Sequence, residues 1–148
     1  MGEKLKTHDK LKNWEINPTF PNVCVLCFGE MDSHEHLFFR CPFAAQVWSL
    51  AKNYIQIPVA GNSWKHVVDG MCSSADRRNA RVIIAKLVFG ASVYYLWQER
   101  NARLFKRKSS TYEAVVELVY STVRLKIMSI KWKDNEQVRN MKAIWKIP

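Results

Sequence analysis

The sequence predicts a mainly α-helical fold in which a small Cys/His module precedes a helical bundle with one long amphipathic helix. Three observations carry this. Apolar residues recur at helical spacing through most of the chain, strand-like alternation is scarce, and three of the four cysteines crowd with two histidines between residues 24 and 41. The 148 residues suffice for one domain with a real core, since a chain of this size buries roughly 70% of its unfolded surface.

Met1 to Asn17 is basic and polar with a weak helical pattern through Leu5 and Leu11, punctuated by Pro18 and Pro21. The stretch Cys24 to Cys41 is too short and polar to be held by core burial alone. Pro42 suits the first position of a helix along which Phe43, Val47, Leu50, Ala51 and Tyr54 recur, and Pro58 and Gly61 close it. Ser63 can cap a short helix from Trp64 to Val68 that Gly70 terminates. Ser73 and Asp76 resemble a capping pair for a long helix from Arg77 to about Lys108, with Ala80, Ile84, Leu87, Ala91, Tyr94, Trp97, Asn101 and Leu104 along its inner face. Ser110-Thr-Tyr-Glu113 reads as a capping box for the next helix, whose Tyr112, Val116, Val119, Val123, Ile127 and Ile130 share a face. Asp134 can cap a last short helix, Glu136 to Trp145. The chain then divides into a Cys/His module with its lead-in and docking helix (1–55), a linker with a short helix (56–76) and a basic helical tail (77–148).

Lys and Arg number 23 against 13 Asp and Glu, a formal net charge of +10. Residues 1 to 76 hold 7 basic and 8 acidic residues, residues 77 to 148 hold 16 and 5, and the two parts sum to −1 and +11. Such an excess points to a polyanion, because phosphate neutralisation by Lys and Arg supplies most sequence-independent affinity for nucleic acid. A membrane surface fits the charge as well. The longest apolar stretch, however, Val82 to Trp97, spans 16 residues and carries Lys86, whereas a membrane span needs about 20 apolar residues. It reads as a core helix, and no membrane partner is expected. Met1 to Lys12 is charged throughout, without the apolar region of a secretory signal, so an intracellular location, nuclear or cytoplasmic, is expected. Lys106-Arg107-Lys108 also fits a short nuclear import signal.

Cys24, Cys27, His36 and Cys41 form C-x2-C-x8-H-x4-C, a spacing that can close three thiolates and one imidazole around a single ion. Thiolate-rich tetrahedral coordination suits Zn2+, and four protein ligands leave no open position. The site is therefore expected to be one structural zinc knuckle of CCHC type. Gly29 is expected to supply the tight backbone of the knuckle turn. His34 offers a competing set, C-x2-C-x6-H-x6-C, and spacing favours His36 while leaving both open. A reducing compartment argues against disulfides, and Cys72, apart from the cluster, reads as an inert thiol. No Ser-His-Asp arrangement, Gly-rich phosphate loop or paired carboxylates stand out, and His8 and His66 have no evident partner, so an enzyme is not expected.

The strings Cys24-Val-Leu-Cys27, Glu30, His36-Leu-Phe-Phe-Arg-Cys41-Pro and Ala44-Ala45-Gln-Val-Trp48 resemble the zinc-binding domain that follows reverse transcriptase in plant-type non-LTR (LINE-like) retrotransposon polyproteins. Leu5-Lys-Thr7-His-Asp9-Lys-Leu11 is similar to that domain's lead-in, and Ala91 to Phe105, with Trp97, Glu99, Arg100, Asn101 and Arg103, resembles a helix of the polyprotein's C-terminal tail. The resemblance favours His36 over His34 as ligand. It implies a zinc module and tail that bind nucleic acid, template RNA or target DNA, beside a polymerase. The chain has no Asp-Asp pair for a polymerase and no endonuclease or RNase H carboxylate cluster. It is therefore expected to be a detached C-terminal fragment or a protein domesticated from one.

The residues support nucleic-acid binding on their own terms. Arg100, Arg103, Lys106, Arg107 and Lys108 make a basic stripe at the end of the long helix, and Arg124, Lys126, Lys131 and Lys133 extend it along the next. A solvated helix face explains any single one of them; the cluster suits phosphates. Phe38 and Phe39, between zinc ligands, can stack on unpaired bases or pack the knuckle on the helix after Pro42, whereas Trp48 and Trp97 read as core. The function expected is a non-catalytic zinc-binding and nucleic-acid-binding module whose partners are RNA or single-stranded DNA and a reverse transcriptase domain in trans. The alternative is a protein-interaction or scaffold module, which an exposed apolar stripe on the helix from Tyr112 to Ile130, together with dimerisation, would favour.

Overall fold

The computed structural model describes residues 22–55, 68–69 and 79–148. The lead-in pattern through Leu5 and Leu11, the Ser63 cap, the Ser73–Asp76 cap, His8, His66 and Cys72 lie outside the described residues. Helices α1 (Pro42–Ala51), α2 (Ala80–Phe105), α3 (Tyr112–Ser129) and α4 (Glu136–Ile144) carry the fold. A π-helical turn, His36–Arg40, precedes α1, and a 3-10 turn, Lys52–Tyr54, follows it. Among the described residues the extended pairing is confined to one antiparallel bridge, Val23 with Met31. The described residues are mainly helical, as their periodicity predicts.

Pro42 does open α1, whose Ala44, Val47, Trp48 and Ala51 are buried. Helix α3 packs against both α1 and α2, and α4 packs on α2. The core joins Val47 and Trp48 to Val88 and Leu96 of α2 and to Val115, Val119 and Val123 of α3. Beside it, the rings of Tyr54, Tyr120 and Trp145 lie with centroids 4.9 to 5.2 Å apart. By length and composition α2 could cross a membrane; here it is the central helix of the bundle.

Three helix starts differ from the predicted ones. Asn79 caps α2, its side chain accepting from the Arg81 N–H at 2.9 Å. Thr111, and not Ser110, caps α3 by accepting from the Ala114 N–H, and the Ser110 N–H that a capping box would give to Glu113 goes to the Glu99 carboxylate at 2.7 Å. Asn135, and not Asp134, caps α4 through the Val138 N–H at 2.8 Å, while Asp134 pairs with Arg139. In each case a neighbouring residue with the same capping chemistry takes the role.

The inner face of α2 is also rotated from the predicted one. Ala85, Val88, Ser92 and Leu96 are buried, whereas Leu87, Ala91 and Trp97 are half-buried and Tyr94 is 55% exposed. Continued at helical spacing, the true stripe reaches Glu99, Arg100 and Arg103. Helix α2 ends at Phe105, three residues short of Lys108, where Arg107 takes a left-handed φ of 50°. At the far end of the chain, Lys146 takes φ 52°, with its N–H donating to the Ala143 carbonyl and the Ile147 N–H to that of Lys142. This is a Schellman closure of α4.

Candidate metal centre

The knuckle is built by a pinched loop. The Cys24 N–H donates to the Glu30 carbonyl at 2.8 Å and the Asp32 N–H to that of Asn22 at 3.0 Å, so residues 24 to 30 form a closed excursion. The residue that turns it is Phe28, with φ 58°. Gly29, expected to do so, is outside the left-handed region, and a Cβ there would meet only the Cys27 sulfur at an ordinary 3.8 Å. Its contribution is an N–H aimed at Cys27 Sγ, 3.4 Å away.

Ser33 then starts a helical turn, its hydroxyl accepting from the His36 N–H and its carbonyl from the Leu37 N–H. From His36 the turn widens, and the Cys41 N–H donates back to the His36 carbonyl at 2.7 Å. Five residues of ordinary α-helix would leave the two side chains about 140° apart. The π turn brings Cys41 back to the side of His36.

The result joins four donors. The ligand atoms of Cys24, Cys27, His36 and Cys41 all lie within 4.8 Å of one another. Cys24 Sγ is 3.9 Å from Cys41 Sγ, and Cys27 Sγ is 3.2 Å from His36 Nε2. A tetrahedral zinc site has S···S edges of about 3.8 Å and S···N edges of about 3.6 Å, so these two edges match that ion to within a few tenths of an ångström. Three of the four ligands are buried and Cys27 is half-buried. Glu30 Oε2 accepts from His36 Nδ1 at 3.0 Å, which leaves Nε2 as the metal-facing nitrogen. The Cys24 thiol is pulled down to about 5, chiefly by a hydrogen bond from the Cys41 thiol, against the opposing effect of burial. That bond and burial push Cys41 up. The two sulfurs share a proton, and a cation bound there, which takes thiolates, displaces it.

The competing ligand His34 stays outside the cluster. Its ring stacks on Phe38 at 6.4 Å and lies 6.5 Å from Trp97, and its buried Nε2 has no hydrogen-bond partner among the described residues. The family described as zinc-binding in reverse transcriptase matches residues 1–48. Over that segment the chain is similar to reverse transcriptase zinc-binding domains. No curated protein and no solved structure matches the chain. The domain and the cluster together define one structural zinc, held by Cys24, Cys27, His36 and Cys41.

The match ends inside α1, but the zinc-binding domain is anchored well beyond it. Arg100 of α2 is 1% exposed and clasps Asp32 with both Nε and Nη2, at 3.1 and 2.5 Å. Its Nη1 donates to Asn101, and its guanidinium lies over the Trp97 ring at 4.7 Å. One turn on, Arg103 donates to the carbonyls of Val25 and Leu26 inside the knuckle, to that of Ser110 and to Glu99, and covers the Phe43 ring at 4.7 Å. These arginines, predicted to track phosphates, are instead the bolts that hold the knuckle on α2. Both lie on the buried stripe of the helix.

Arg124 is likewise turned inward, donating to the carbonyls of Trp145 and Lys146 at the C-terminal end of α4. Of the remaining predicted residues, Lys106, Arg107 and Lys108 lie exposed past the end of α2, and Lys126, Lys131 and Lys133 lie exposed at the other end of the α2–α3 hairpin. They form two groups and not one stripe. Phe38 is buried with the core while Phe39 is 53% exposed. Sequence reasoning missed the anchor Asp32, whose partner is 68 residues away, and the exposed ring of Phe28. Glu30 belongs to the residues that carry the resemblance, and its role beside His36 emerges only in the fold.

Proposed function

We propose that the chain is a non-catalytic, zinc-organised nucleic-acid-binding module derived from a retrotransposon polyprotein of the LINE-like class. It acts inside the cell on RNA or single-stranded DNA, with no membrane partner, alongside a reverse transcriptase domain in trans. One observation carries this reading. After Arg100, Arg103 and Arg124 are committed to the fold, Lys106, Arg107, Lys108, Lys126, Lys131 and Lys133 remain exposed and, among the described residues, paired with no carboxylate. The exposed rings of Phe28 and Phe39 on the knuckle add surfaces on which unpaired bases can stack. Zinc serves by ordering the loop that carries them.

The test is a fluorescence-anisotropy titration of labelled single-stranded RNA and DNA with the zinc-loaded chain at several salt concentrations. Six phosphate contacts give a slope of about −4 for log affinity against log salt, or a loss of roughly two orders of magnitude between about 50 and 200 mM. Affinity that is absent at low salt, or insensitive to salt, overturns the reading. A second reading has its own observation: Leu118, Leu125 and Met128 are 48%, 66% and 49% exposed along one side of α3, a stripe suited to docking a protein partner. A concentration-dependent increase in mass that Leu125→Glu abolishes would favour it.

A further inference from the structure

Helices α2 and α3 run as an antiparallel hairpin, so the residues that follow α3 return beside the start of α2. Between them lies a cleft of about 880 Å³. It is lined by Arg81 from the first turn of α2, Lys131, Trp132 and Lys133 from the α3–α4 connection, and Gln137 and Asn140 from α4. We propose that this cleft is a binding site for single-stranded nucleic acid, in which Arg81, Lys131 and Lys133 hold phosphates and Trp132 is a platform for a base. The proposal rests on the nucleic-acid reading above and names where the strand is gripped.

Charge is the first argument. Three cations face one carboxylate, Glu136, among the lining residues, and none of the three cations has an ion-pair partner among the described residues. The starts of α2 and α4 both border the cleft, and the partial positive charge of helix N-termini adds to that field.

The aromatic ring is the second. The indole N–H of Trp132 donates to the Ile127 carbonyl at 3.0 Å and the ring packs against the core while still lining the cleft. A platform fixed in this way loses little freedom when a base stacks on it. Ile83 and Ile130 give the cleft an apolar floor. Gln137 and Asn140 place amides on its wall, groups able to pair with the edges of unpaired bases. Stacking and edge contacts of this kind are open to a single strand and closed to a duplex.

The other exposed cations, Lys106 to Lys108, sit at the opposite end of α2, about 39 Å away for a helix of 26 residues. The two basic groups can therefore be tested separately. The experiment measures the affinity of the full zinc-loaded chain for a labelled single-stranded RNA, for DNA of the same sequence and for the matching duplex, with circular dichroism confirming that each variant folds. Lys131→Glu with Lys133→Glu should weaken single-strand binding about tenfold or more and flatten the salt slope by about 1.4, two contacts' worth. Lys106→Glu with Lys108→Glu should weaken it less. Trp132→Ala should cost roughly five- to hundredfold and Trp132→Phe, which keeps a ring, much less. Unequal affinity for RNA and DNA would show that the 2′-hydroxyl is read, and equal affinity that the strand is held by phosphate and base alone; both support the site. If the Lys131/Lys133 variant binds like the parent while the Lys106/Lys108 variant fails, the cleft is not the site although the chain binds nucleic acid. Equal affinity for the duplex overturns the single-strand assignment. A parent that binds no strand at low salt overturns both this proposal and the reading beneath it.

Discussion

Replacing Arg100 with methionine keeps most of the side chain's length and removes all of its charge, so it isolates the pair that ties the zinc module to α2. Asp32 and Arg100 have side chains only 1% exposed, joined by two hydrogen bonds. Removing one partner of such a pair takes the guanidinium away from a buried carboxylate and costs about 3–5 kcal/mol. Against the ~5–15 kcal/mol that usually separates folded from unfolded states, this is a large part of the total. At roughly 2–4 °C per kcal/mol for a chain of this size, Arg100→Met should lower the midpoint of thermal unfolding by ~6–20 °C. The loss reaches the metal, because Asp32 lies between Glu30, which orients His36, and Ser33, which starts the turn carrying it. If undocking loosens that segment, zinc should pass to a competing chelator at a concentration about a hundredfold lower, the equivalent of roughly 3 kcal/mol of coupling. The assay is guanidinium unfolding with zinc present, together with chelator competition on the same samples. Asp32→Leu combined with Arg100→Met should regain more than half of the lost stability, since a buried ion pair exchanged for apolar groups is often near neutral. A single variant that unfolds within 1 kcal/mol of the parent would refute the anchoring role. A double variant no better than the single one would show that shape, and not charge, sets the cost.

Three shorter predictions concern the knuckle. Glu30→Ala removes the acceptor of His36 Nδ1 and should weaken zinc binding about 10–100-fold, read by chelator competition, with little change in helix content. Cys24 ionises well below its ordinary value of 9.0, at about 5; a lowered acid stabilises the fold above its ordinary pKa, and that contribution is lost as the pH falls through about 5. Thiolate absorbance of zinc-free protein should thus show one thiol titrating near pH 5, missing in Cys24→Ser; titration of every thiol in the ordinary range would refute the shared proton. Phe28 is left-handed and Gly29 is not, so Gly29→Ala should change stability by less than about 1 kcal/mol, and Phe28→Gly should be neutral or stabilising by up to about 1 kcal/mol. A Gly29→Ala variant that loses zinc would contradict the turn geometry.

What could be read in the sequence was what local pattern determines. The ligand spacing, Pro42 at the start of α1 and the buried face of α3 follow from residues a few positions apart, and they stand as predicted. What escaped was settled by contacts across the chain. Nothing beside Ser110 announces that its N–H is taken by Glu99 of the preceding helix, and helical periodicity takes no account of Arg139 claiming the Asp134 carboxylate. The rotated face of α2 has a similar cause. Large apolar side chains at Leu87, Tyr94 and Trp97 drew the predicted stripe toward themselves, whereas the packed stripe runs through the small Ala85 and Ser92, where Ser92 satisfies its own hydroxyl on the Val88 carbonyl at 2.7 Å. Periodicity weighs hydrophobicity, and at this helix the neighbours selected for size.

That rotation changes the meaning of the basic helix end. A cation on a solvated face is free to meet phosphate; the same cation on the buried stripe must find a carboxylate or carbonyl, since an unpaired buried charge is not tolerated. Arg100 and Arg103 find theirs in Asp32, Val25 and Leu26, all within the match that ends at residue 48. Charge complementarity therefore runs in both directions. The zinc loop presents the Asp32 carboxylate to Arg100 and two carbonyls to Arg103, which Glu99 of α2 also pairs, so docking joins the polar groups of the two elements. Residues 22–55 and the α2–α3 hairpin are on this account a single cooperative unit, with the metal at one end and the free lysines at its margins.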